Sequence, residues 1–311
     1  MYQRQASVFF YTVSPVHMGA GQAVDVIDNP IQRERHTRHP NLAGSGIKGA
    51  VRHSWKALNG QEQHLTDILG PEPGSEVLHA GAASFGDAQL VALPVRSLKG
   101  GYVYTTCPHV LARVKRQLTM AGTPCDWPTL QVSDGTALVS HKELLSSPGN
   151  HGERLHLEAF EYTPQESAEL AAMAAELATW ALPETEDHRF FRDKLARDLV
   201  VLSDTDFSYF AEHAMVVEPH VRIDPETGAA QDGGLFYTEN LPPETVLIAP
   251  LMTSRTRTGR GKEQGANGEL EADEVMAQLR SLLNGRLLQI GGDATTGRGL
   301  VIARVQEGEQ P

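Results

Sequence analysis

The sequence predicts an α+β fold in which a ferredoxin-like sheet carries insertions. Two observations lead to this prediction. Near the N-terminus a strand, a helix and two further strands follow one another, and near the C-terminus a helix precedes two strands. A chain of 311 residues has the length of one large domain or two ordinary ones. The composition, 40% hydrophobic and 21% charged, is that of a folded globular protein.

The first elements are indicated by runs of residues with strand or helix periodicity. The β-branched and aromatic run Ser7–Ser14 predicts a buried strand, and the polar segment His17–Leu42 after it predicts a functional loop. Gly44 and Ser45 predict the start of a helix, since apolar residues then recur at helical spacing on one face. The elements that follow are two short strands within residues 82–95 and a helix over Pro108–Ala121.

The second half of the chain contains an acidic helical stretch and a hairpin. Thr163–Glu166 has the pattern of a capping box, which predicts that an amphipathic helix begins there and that residues 164 to about 212 form an insertion. Two extended arms around Asp224–Gly228 predict a long hairpin. The final elements are a helix over Glu271–Leu283 and strands over Leu287–Ile290 and Leu300–Val305.

Several function classes are excluded by what the sequence lacks. No stretch of 18 apolar residues and no cleavable leader pattern occurs, so a cytoplasmic protein without a membrane span is expected. Cys107 and Cys125 are too few for a disulfide framework and are expected to be packing residues. A Walker P-loop and the signatures of metalloproteases, serine hydrolases and dinucleotide-binding folds are absent.

The charge of the chain is distributed unevenly. The net charge of −12 argues against a free-standing nucleic-acid binder held by bulk attraction. Residues 1–56, however, contain seven Lys and Arg against three Asp and Glu, a net charge of +4, and the remaining residues carry −16. Any site for a polyanion is therefore expected in the first 56 residues.

Two segments of that basic region could bind phosphates. Gly44–Gly49 places backbone N–H groups at a helix start with Lys48 and Arg52 along the helix, an arrangement that suits phosphates but also fits an ordinary surface helix. The basic residues of Ile31–His39 could grip a phosphate backbone, and a solvated loop is the alternative. The glycine-rich run Gly291–Gly299 is by itself most typical of a tight hairpin.

Asp28 is the residue best suited to chemistry. It stands between apolar Ile27 and the rigid Asn29-Pro30 pair, directly before the basic segment, although a lone Asp is also a common turn former. An RNA strand supplies its own nucleophile, the 2′-OH, so one carboxylate acting as a base or metal holder could suffice. His17 is the nearest candidate acid or phosphate contact, with a structural histidine as the alternative.

Together these segments resemble a known family. The runs that carry the likeness are His17–Gly21, Asp28–Thr37 and Gly44–Arg52, supported by Phe85–Ala88, Leu93–Ser97, Thr106–Pro108, residues 233–243 and Gly291–Gly299. In order and spacing they look like the RAMP-superfamily backbone subunits of type III-B (Cmr) CRISPR effector complexes. The resemblance covers essentially the whole chain, and Pro30–Thr37 is its most specific motif.

The resemblance implies an architecture and a function. It implies an RRM-like RAMP core of residues 1–160 and 244–311, a helical insertion, or lid, of residues 161–214, and a protruding thumb hairpin of residues 215–243. The implied protein forms a helical filament of its own copies on a CRISPR RNA, with other type III-B subunits. It cleaves complementary target RNA once per subunit in antiviral defence. A non-catalytic guide-binding scaffold is the alternative, and a stand-alone nucleotide enzyme is a third hypothesis.

The resemblance also implies roles for individual residues. The catalytic aspartate corresponds to Asp28, with His17 in support and Glu239 as a helper brought near only by the neighbouring subunit. The guide-binding positions are Ser45, Lys48, Arg52, Arg33 and Arg35. A divalent cation, Mg²⁺ or Mn²⁺, is implied, although the sequence shows no ligand set for it. Two positions depart from the family: Gly46 stands where a serine is common, and Met18 where a proline is frequent.

Overall fold

The computed structural model describes residues 2–21, 23, 26–72, 74–76, 78–147, 152–257 and 269–308. The strands are β1 (Arg4–Thr12), β2 (Asn41–Leu42), β3 (Ala83–Phe85), β4 (Ala88–Arg96), β5 (Tyr102–Thr106), β6 (Thr136–Val139), β7 (Leu155–Leu157), β8 (Phe160–Glu166), β9 (Leu199–Leu202), β10 (Val216–Ile223), β11 (Ala230–Asn240), β12 (Val246–Thr253), β13 (Arg286–Gln289) and β14 (Leu300–Gln306). The helices are α1 (Gly44–Ser54), α2 (Leu65–Leu69), α3 (Pro108–Met120), α4 (Ala168–Ala181), α5 (Glu186–Arg197), α6 (Asp204–His213) and α7 (Ala272–Leu283).

Twelve of these strands form one mixed sheet. Ten of them lie in the order β13-β14-β1-β12-β4-β5-β9-β6-β8-β7, while β2 pairs with β4 and β3 with β12. Strand β1 is central to its part of the sheet because it pairs antiparallel with both β12 and β14. The α+β class predicted from the sequence is confirmed.

Both faces of the sheet are covered by helices, which explains why the run Val8–Tyr11 of β1 is apolar without alternation. Val8 and Phe10 belong to a core with Ile47 of α1 and Val275 of α7. Their neighbours on the strand, Phe9 and Tyr11, belong to a second core with residues of α3 and α4. Successive side chains of a strand point to opposite faces, so the consecutive residues Val8–Tyr11 are all buried.

The segment 161–214 differs from the expected helical insertion. Thr163–Glu166 lies in β8, and α4 starts later, with the Ser167 hydroxyl accepting the N–H of Leu170 at 3.1 Å. The short run Leu199–Leu202 forms β9, which pairs with β5 on one side and β6 on the other. This segment therefore contributes a buried strand to the sheet in addition to α4, α5 and α6.

Strands β10 and β11 form a separate two-stranded antiparallel hairpin. The turn lies at Asp224–Gly228, where Gly228 has a φ of +68°. Glu218 of β10 forms an ion pair with Arg298, which joins the hairpin to the glycine-rich loop before β14. The base of the hairpin is thus fixed to the sheet, while its outer residues are largely exposed.

Candidate functional site

Asp28 lies in an extended segment that runs beside the base of the hairpin. Its Oδ2 accepts a hydrogen bond from the backbone N–H of Tyr237 at 2.8 Å. On either side of this contact, Asn29 N–H donates to Tyr237 O at 3.0 Å, and Glu239 N–H donates to Asn29 O at 3.0 Å. The Asp28 side chain is exposed. The carboxylate is therefore held in place on one oxygen and open to solvent.

His17 is placed by two other parts of the chain. Its Nδ1 lies 2.8 Å from the carbonyl oxygen of Glu239, so this nitrogen is occupied by a backbone contact when it carries the proton. Its carbonyl oxygen accepts the N–H of Gly292 at 2.8 Å. Gly291 has a φ of +90°, and a Cβ there would lie 2.3 Å from His17 O, so glycine is required for this close approach.

Glu239 and Arg33 form a buried ion pair beneath the Asp28 segment. One Glu239 carboxylate oxygen accepts the N–H of Ile31 at 2.9 Å, and the other lies 2.5 Å from Arg33 Nη2. The same guanidinium donates to the carbonyls of Ala211 and Glu212 at 2.8 and 3.1 Å, at the C-terminal end of α6. The two side chains are only 5% and 7% exposed. Together they tie the Asp28 segment, the hairpin base and α6 to one another.

The loop after Arg33 is held by a second buried ion pair. The Glu34 carboxylate accepts hydrogen bonds from Arg113 of α3 and from Gln89 and Thr37. Burial alone would raise the pKa of Glu34, but the hydrogen bonds from Arg113 and Thr37 hold it below its ordinary value. Because Glu34 is anchored, Arg35 is left exposed at the outer side of the loop.

Helix α1 begins beside this loop and presents the remaining predicted phosphate contacts. Its first residue, Gly44, donates its N–H to Asp87 Oδ1 at 2.8 Å, so the cap comes from a distant loop rather than from Ser45 as the sequence suggested. Ser45 is exposed in the first turn. Lys48 is half-buried, and its pKa is lowered by burial and by the nearby charge of Arg52.

Arg52 has a structural contact that the sequence did not reveal. Its Nη2 donates to the carbonyls of Leu69 and Gly70 at 2.8 and 2.5 Å. These carbonyls are at the end of α2, where the last turn of a helix leaves acceptors unpaired. Arg52 therefore links α1 to α2, and Lys48 is the cation of α1 better placed for an external phosphate.

Within the described ranges, no three His, Cys, Asp or Glu side chains are grouped so that they could hold a metal ion. None of the helices described in the structure is long and apolar enough to cross a membrane.

Comparison with known proteins places this geometry in a family. A family model described as the RAMP superfamily matches residues 9–302. The chain belongs to the RAMP superfamily. It is 32% identical over 301 residues to the CRISPR system Cmr endoribonuclease Cmr4 of Pyrococcus furiosus, covering 96% of this chain and 95% of that protein. The resemblance drawn from the sequence motifs is confirmed.

Solved structures of RAMP proteins share the fold over nearly the full length. The crystal structure of oligomeric Cmr4 from Pyrococcus furiosus matches with a TM-score of 0.71 and 27% identity, over 99% of this chain and 100% of that chain. A cryo-EM structure of type III-B Cmr-beta bound to cognate target RNA has the same fold, with a TM-score of 0.70 and 19% identity over 98% of both chains.

The structure brings together three of the site residues expected for a RAMP protein. Within one chain, Asp28 accepts the N–H of Tyr237, His17 Nδ1 contacts Glu239 O, and Glu239 N–H donates to Asn29 O. The Glu239 backbone thus lies beside the neighbour of Asp28 without a second subunit, contrary to the expectation, while its carboxylate is turned to Ile31 and Arg33. Glu239 and Arg33 form a buried ion pair, so both side chains are occupied within the chain. The helper role of Glu239 and the guide contact of Arg33 stay predictions.

The two departures from the RAMP motif lie in contact with each other. A Cβ on Gly46 would lie 2.7 Å from Met18 Cε and 3.0 Å from its Sδ, so the Met18 side chain fills the space that a serine would need. Met18 is buried in the core with Ile47. The absence of a side chain at Gly46 therefore leaves the space in which Met18 packs against α1.

Two groups that organise the site carry no recognisable sequence signal. The Tyr237 contact uses a backbone N–H, which any residue except proline supplies. Arg113 is 79 residues from Glu34 in the sequence, so only the packing of α3 reveals their pairing.

Proposed function

We propose that this chain is a guide-binding backbone subunit of a type III-B CRISPR effector complex and that it cleaves target RNA at Asp28. The observation that carries the proposal is the Asp28 carboxylate, anchored on one oxygen by Tyr237 N–H and exposed at the base of the hairpin. The name of the 32% identical relative, an endoribonuclease, supports the activity. The oligomeric relative supports self-assembly.

The proposed reaction uses the 2′-OH of the target RNA as nucleophile. Asp28 accepts the 2′-OH proton as the 2′-oxygen bonds to the adjacent phosphorus, and the bond from phosphorus to the 5′-oxygen breaks. The departing 5′-oxygen takes up a proton, so the products carry a 2′,3′-cyclic phosphate and a 5′-hydroxyl. The Nδ1 atom of His17 is occupied by Glu239 O. Its Nε2 atom either gives a proton to the departing 5′-oxygen or donates a hydrogen bond to the phosphate.

The hairpin β10–β11 serves in this proposal as the thumb of the family. An A-form helix keeps the 2′-oxygen out of line with the bond that must break, so a nucleotide has to leave the duplex before it can react. A wedge beside Asp28 would displace that nucleotide next to the carboxylate that accepts the 2′-OH proton. The backbone contacts of Asn29 with Tyr237 and Glu239 fix this alignment.

A divalent cation, Mg²⁺ or Mn²⁺, belongs to the proposal. Magnesium in phosphate-transfer sites is commonly held by one or two carboxylates together with substrate phosphates and water. Asp28 offers one open carboxylate oxygen, whereas the Glu239 carboxylate is filled by Ile31 and Arg33. RNA phosphate oxygens and water would hold the ion beside Asp28, whose open oxygen takes the 2′-OH proton, and the ion would stabilise negative charge on the reacting phosphate.

Guide binding is assigned to the basic surface next to the site. The N-terminal turn of α1 with Ser45, the ammonium of Lys48 and the exposed guanidinium of Arg35 form a surface for phosphates. A filament with the guide inside needs this inner surface to be basic, and its outer faces can remain acidic.

The decisive experiment is Asp28→Asn in the assembled complex. Asparagine keeps an oxygen that can accept the Tyr237 N–H but loses the negative charge, so the segment stays in place. We expect evenly spaced cuts in a complementary RNA for the wild type and none for Asp28→Asn, with equal assembly and target binding. Asp126→Asn, an exposed aspartate elsewhere on the chain, is the matched control.

A target with a single 2′-deoxynucleotide tests the nucleophile in the same assay. The cut at that nucleotide should disappear while the other cuts persist. Full assembly with no cuts by the wild type would favour the non-catalytic scaffold. Unchanged cutting by Asp28→Asn would remove Asp28 as the catalytic residue.

A further inference from the structure

A cavity of about 330 Å³ opens next to Asp28, and none of the roles assigned above uses it. Half of its lining residues are apolar and lie on either side of the chain near Asp28: Ala20, Val26, Ile27, Pro30 and Ile31. The other lining residues are Arg33, Arg38, Glu212, His213 and Glu239. A ring-sized cavity of about 150 Å³ accommodates benzene, so a volume of this size is sufficient for a one- or two-ring base.

The charged groups around the cavity are paired with one another. Glu239 is neutralised by Arg33, and Glu212 by Arg38, whose Nε lies 3.3 Å from Glu212 Oε1. These pairs leave no isolated carboxylate among the lining residues to repel RNA. Beyond the cavity, Arg35 and His36 are exposed on the same loop. The surroundings therefore suit a neutral, flat group attached to a phosphate chain.

A line of exposed aromatic side chains continues from the cavity rim. The ring of His213 lies 4.6 Å from that of Tyr209, and the Tyr209 ring lies 5.1 Å from that of Phe160. Tyr209 and Phe160 are 47% and 41% exposed, although large aromatic side chains are usually buried. Exposed aromatic rings in a row are the surface on which single-stranded nucleic acids stack their bases.

We propose that this cavity, together with His213, Tyr209 and Phe160, binds unpaired bases of the target RNA at each cleavage position. The inference rests on the proposed function and adds a base-binding subsite to it. Ile27, which lines the cavity, is the neighbour of Asp28, so a base seated there places its own ribose and phosphate beside the carboxylate. The energy of seating the base offsets the cost of removing it from the duplex.

The direct test is cross-linking, which does not require cleavage. Complexes containing Asp28→Asn are assembled on a target that carries one 4-thiouridine, moved through the sequence one nucleotide at a time. After irradiation, mass spectrometry identifies the attached peptides. We expect positions at a regular interval to cross-link to residues 26–33, to residues 209–213 or to Phe160. Cross-links confined to other parts of the chain, or none at any position, would overturn the proposal.

The functional test uses an abasic nucleotide at one cleavage position. The wild-type complex should cut that position about tenfold more slowly, the effect expected for the loss of one base-stacking contact, while cutting normally at its other positions. Equal cutting at all positions would contradict the base-binding site. No cutting of an intact target would instead contradict the proposed nuclease, and the cross-links would still decide the base-binding site.

Variants distinguish an RNA surface from a protein interface. Ala20→Phe fills the cavity, and Tyr209→Ala removes one ring of the aromatic line. Each variant should cut an intact target about tenfold more slowly than the wild type. In each variant an abasic nucleotide should no longer slow the cut at its position. Phe190→Ala, an exposed aromatic residue of α5, is the matched control. If Tyr209→Ala reduces the number of copies bound per guide and leaves cutting per copy unchanged, the surface joins neighbouring copies and the proposal fails.

Discussion

At the scale of single residues, Arg33 shows how one side chain can connect three parts of the molecule. Its guanidinium contacts Glu239 of β11, two carbonyls at the end of α6 and the carbonyl of Arg38 in its own loop. A lysine could not make these contacts together, because its ammonium is a single point with no planar fork of donors. The site therefore depends on an arginine at this position for its geometry.

Replacing Arg33 by alanine should strongly destabilise the fold. The change leaves the Glu239 carboxylate buried without its partner, and breaking a buried pair in this way costs about 3–5 kcal/mol. We expect a loss of that size in the free energy of unfolding by urea. Arg35→Ala, two residues away and exposed, should change the free energy of unfolding by less than about 0.5 kcal/mol. Equal effects of the two variants would contradict the structural role of Arg33.

Glu244 should make the stability of the chain depend on pH. Burial raises the pKa of this carboxyl from its ordinary 4.5 to about 7, and its Oε2 has no hydrogen-bond partner in the structure as described. Between these values the folded chain binds more protons than the unfolded chain, so stability falls as the pH rises. Partial exposure limits this loss to about 1–2 kcal/mol between pH 4.5 and 8.

The measurement is urea unfolding of the wild type and Glu244→Gln at pH 5 and pH 8. The variant lacks the titrating carboxyl, so it should lose less stability than the wild type over this range and be the more stable protein at pH 8. Glu158→Gln is the matched control, since Glu158 also has a positive φ but is exposed. A wild-type profile identical to that of Glu244→Gln would refute the assignment.

At the scale of elements, α1 depends on a cap that its own sequence does not contain. The N-cap residue is Ala43, which has no side-chain acceptor, and Asp87 from the turn between β3 and β4 accepts the N–H of Gly44 instead. Asp87→Ala should therefore lower stability by about 1 kcal/mol, as the loss of a helix cap does. Asp87→Asn retains an acceptor and should cost less. Thermal unfolding of both variants gives the comparison.

The elements differ in how far the sequence alone predicts them. Helices α1, α3 and α7 have periodic patterns and strand β1 has a continuous β-branched and aromatic run, and the structure contains each within a few residues of its predicted place. The sequence does not predict strand β9, because four apolar residues between two helices have no distinguishing period. The capping-box pattern of Thr163–Glu166 does not start a helix, because pairing with β6 and β7 determines its conformation.

In the site, motifs located Asp28 and His17, but the buried pairs of Arg33 and Glu34 depend on contacts between distant segments.

At the scale of the whole molecule, the charge asymmetry has a structural counterpart. The basic residues 1–56 include the Asp28 segment, which contacts the hairpin base, the loop that carries Arg35, and helix α1, which follows that loop. The rest of the chain carries a net charge of −16. Copies that bind a shared guide through the basic part would expose acidic surfaces to the surroundings, which limits non-specific attachment to other nucleic acids.

The salt dependence of guide binding should report how many cations of this basic part contact the RNA. Each phosphate contact to a single strand contributes about 0.7 to the slope of log affinity against log salt concentration. We expect the double variant Lys48→Ala, Arg35→Ala to lower the magnitude of the slope by about 1.4 per subunit. Arg52 is excluded from the pair because it is bound to α2 and its loss would disturb the fold.

The control for that slope is the double variant Lys142→Ala, Arg189→Ala, which removes two exposed cations from the acidic part of the chain. It changes the net charge by the same amount, so a general electrostatic effect would alter both slopes equally. If Lys48 and Arg35 contact the guide directly, only the slope of their double variant changes, because counterions are released only where a side chain neutralises a phosphate. Equal slopes for the two double variants would show that guide affinity follows total charge, and Lys48 and Arg35 would then not be contacts.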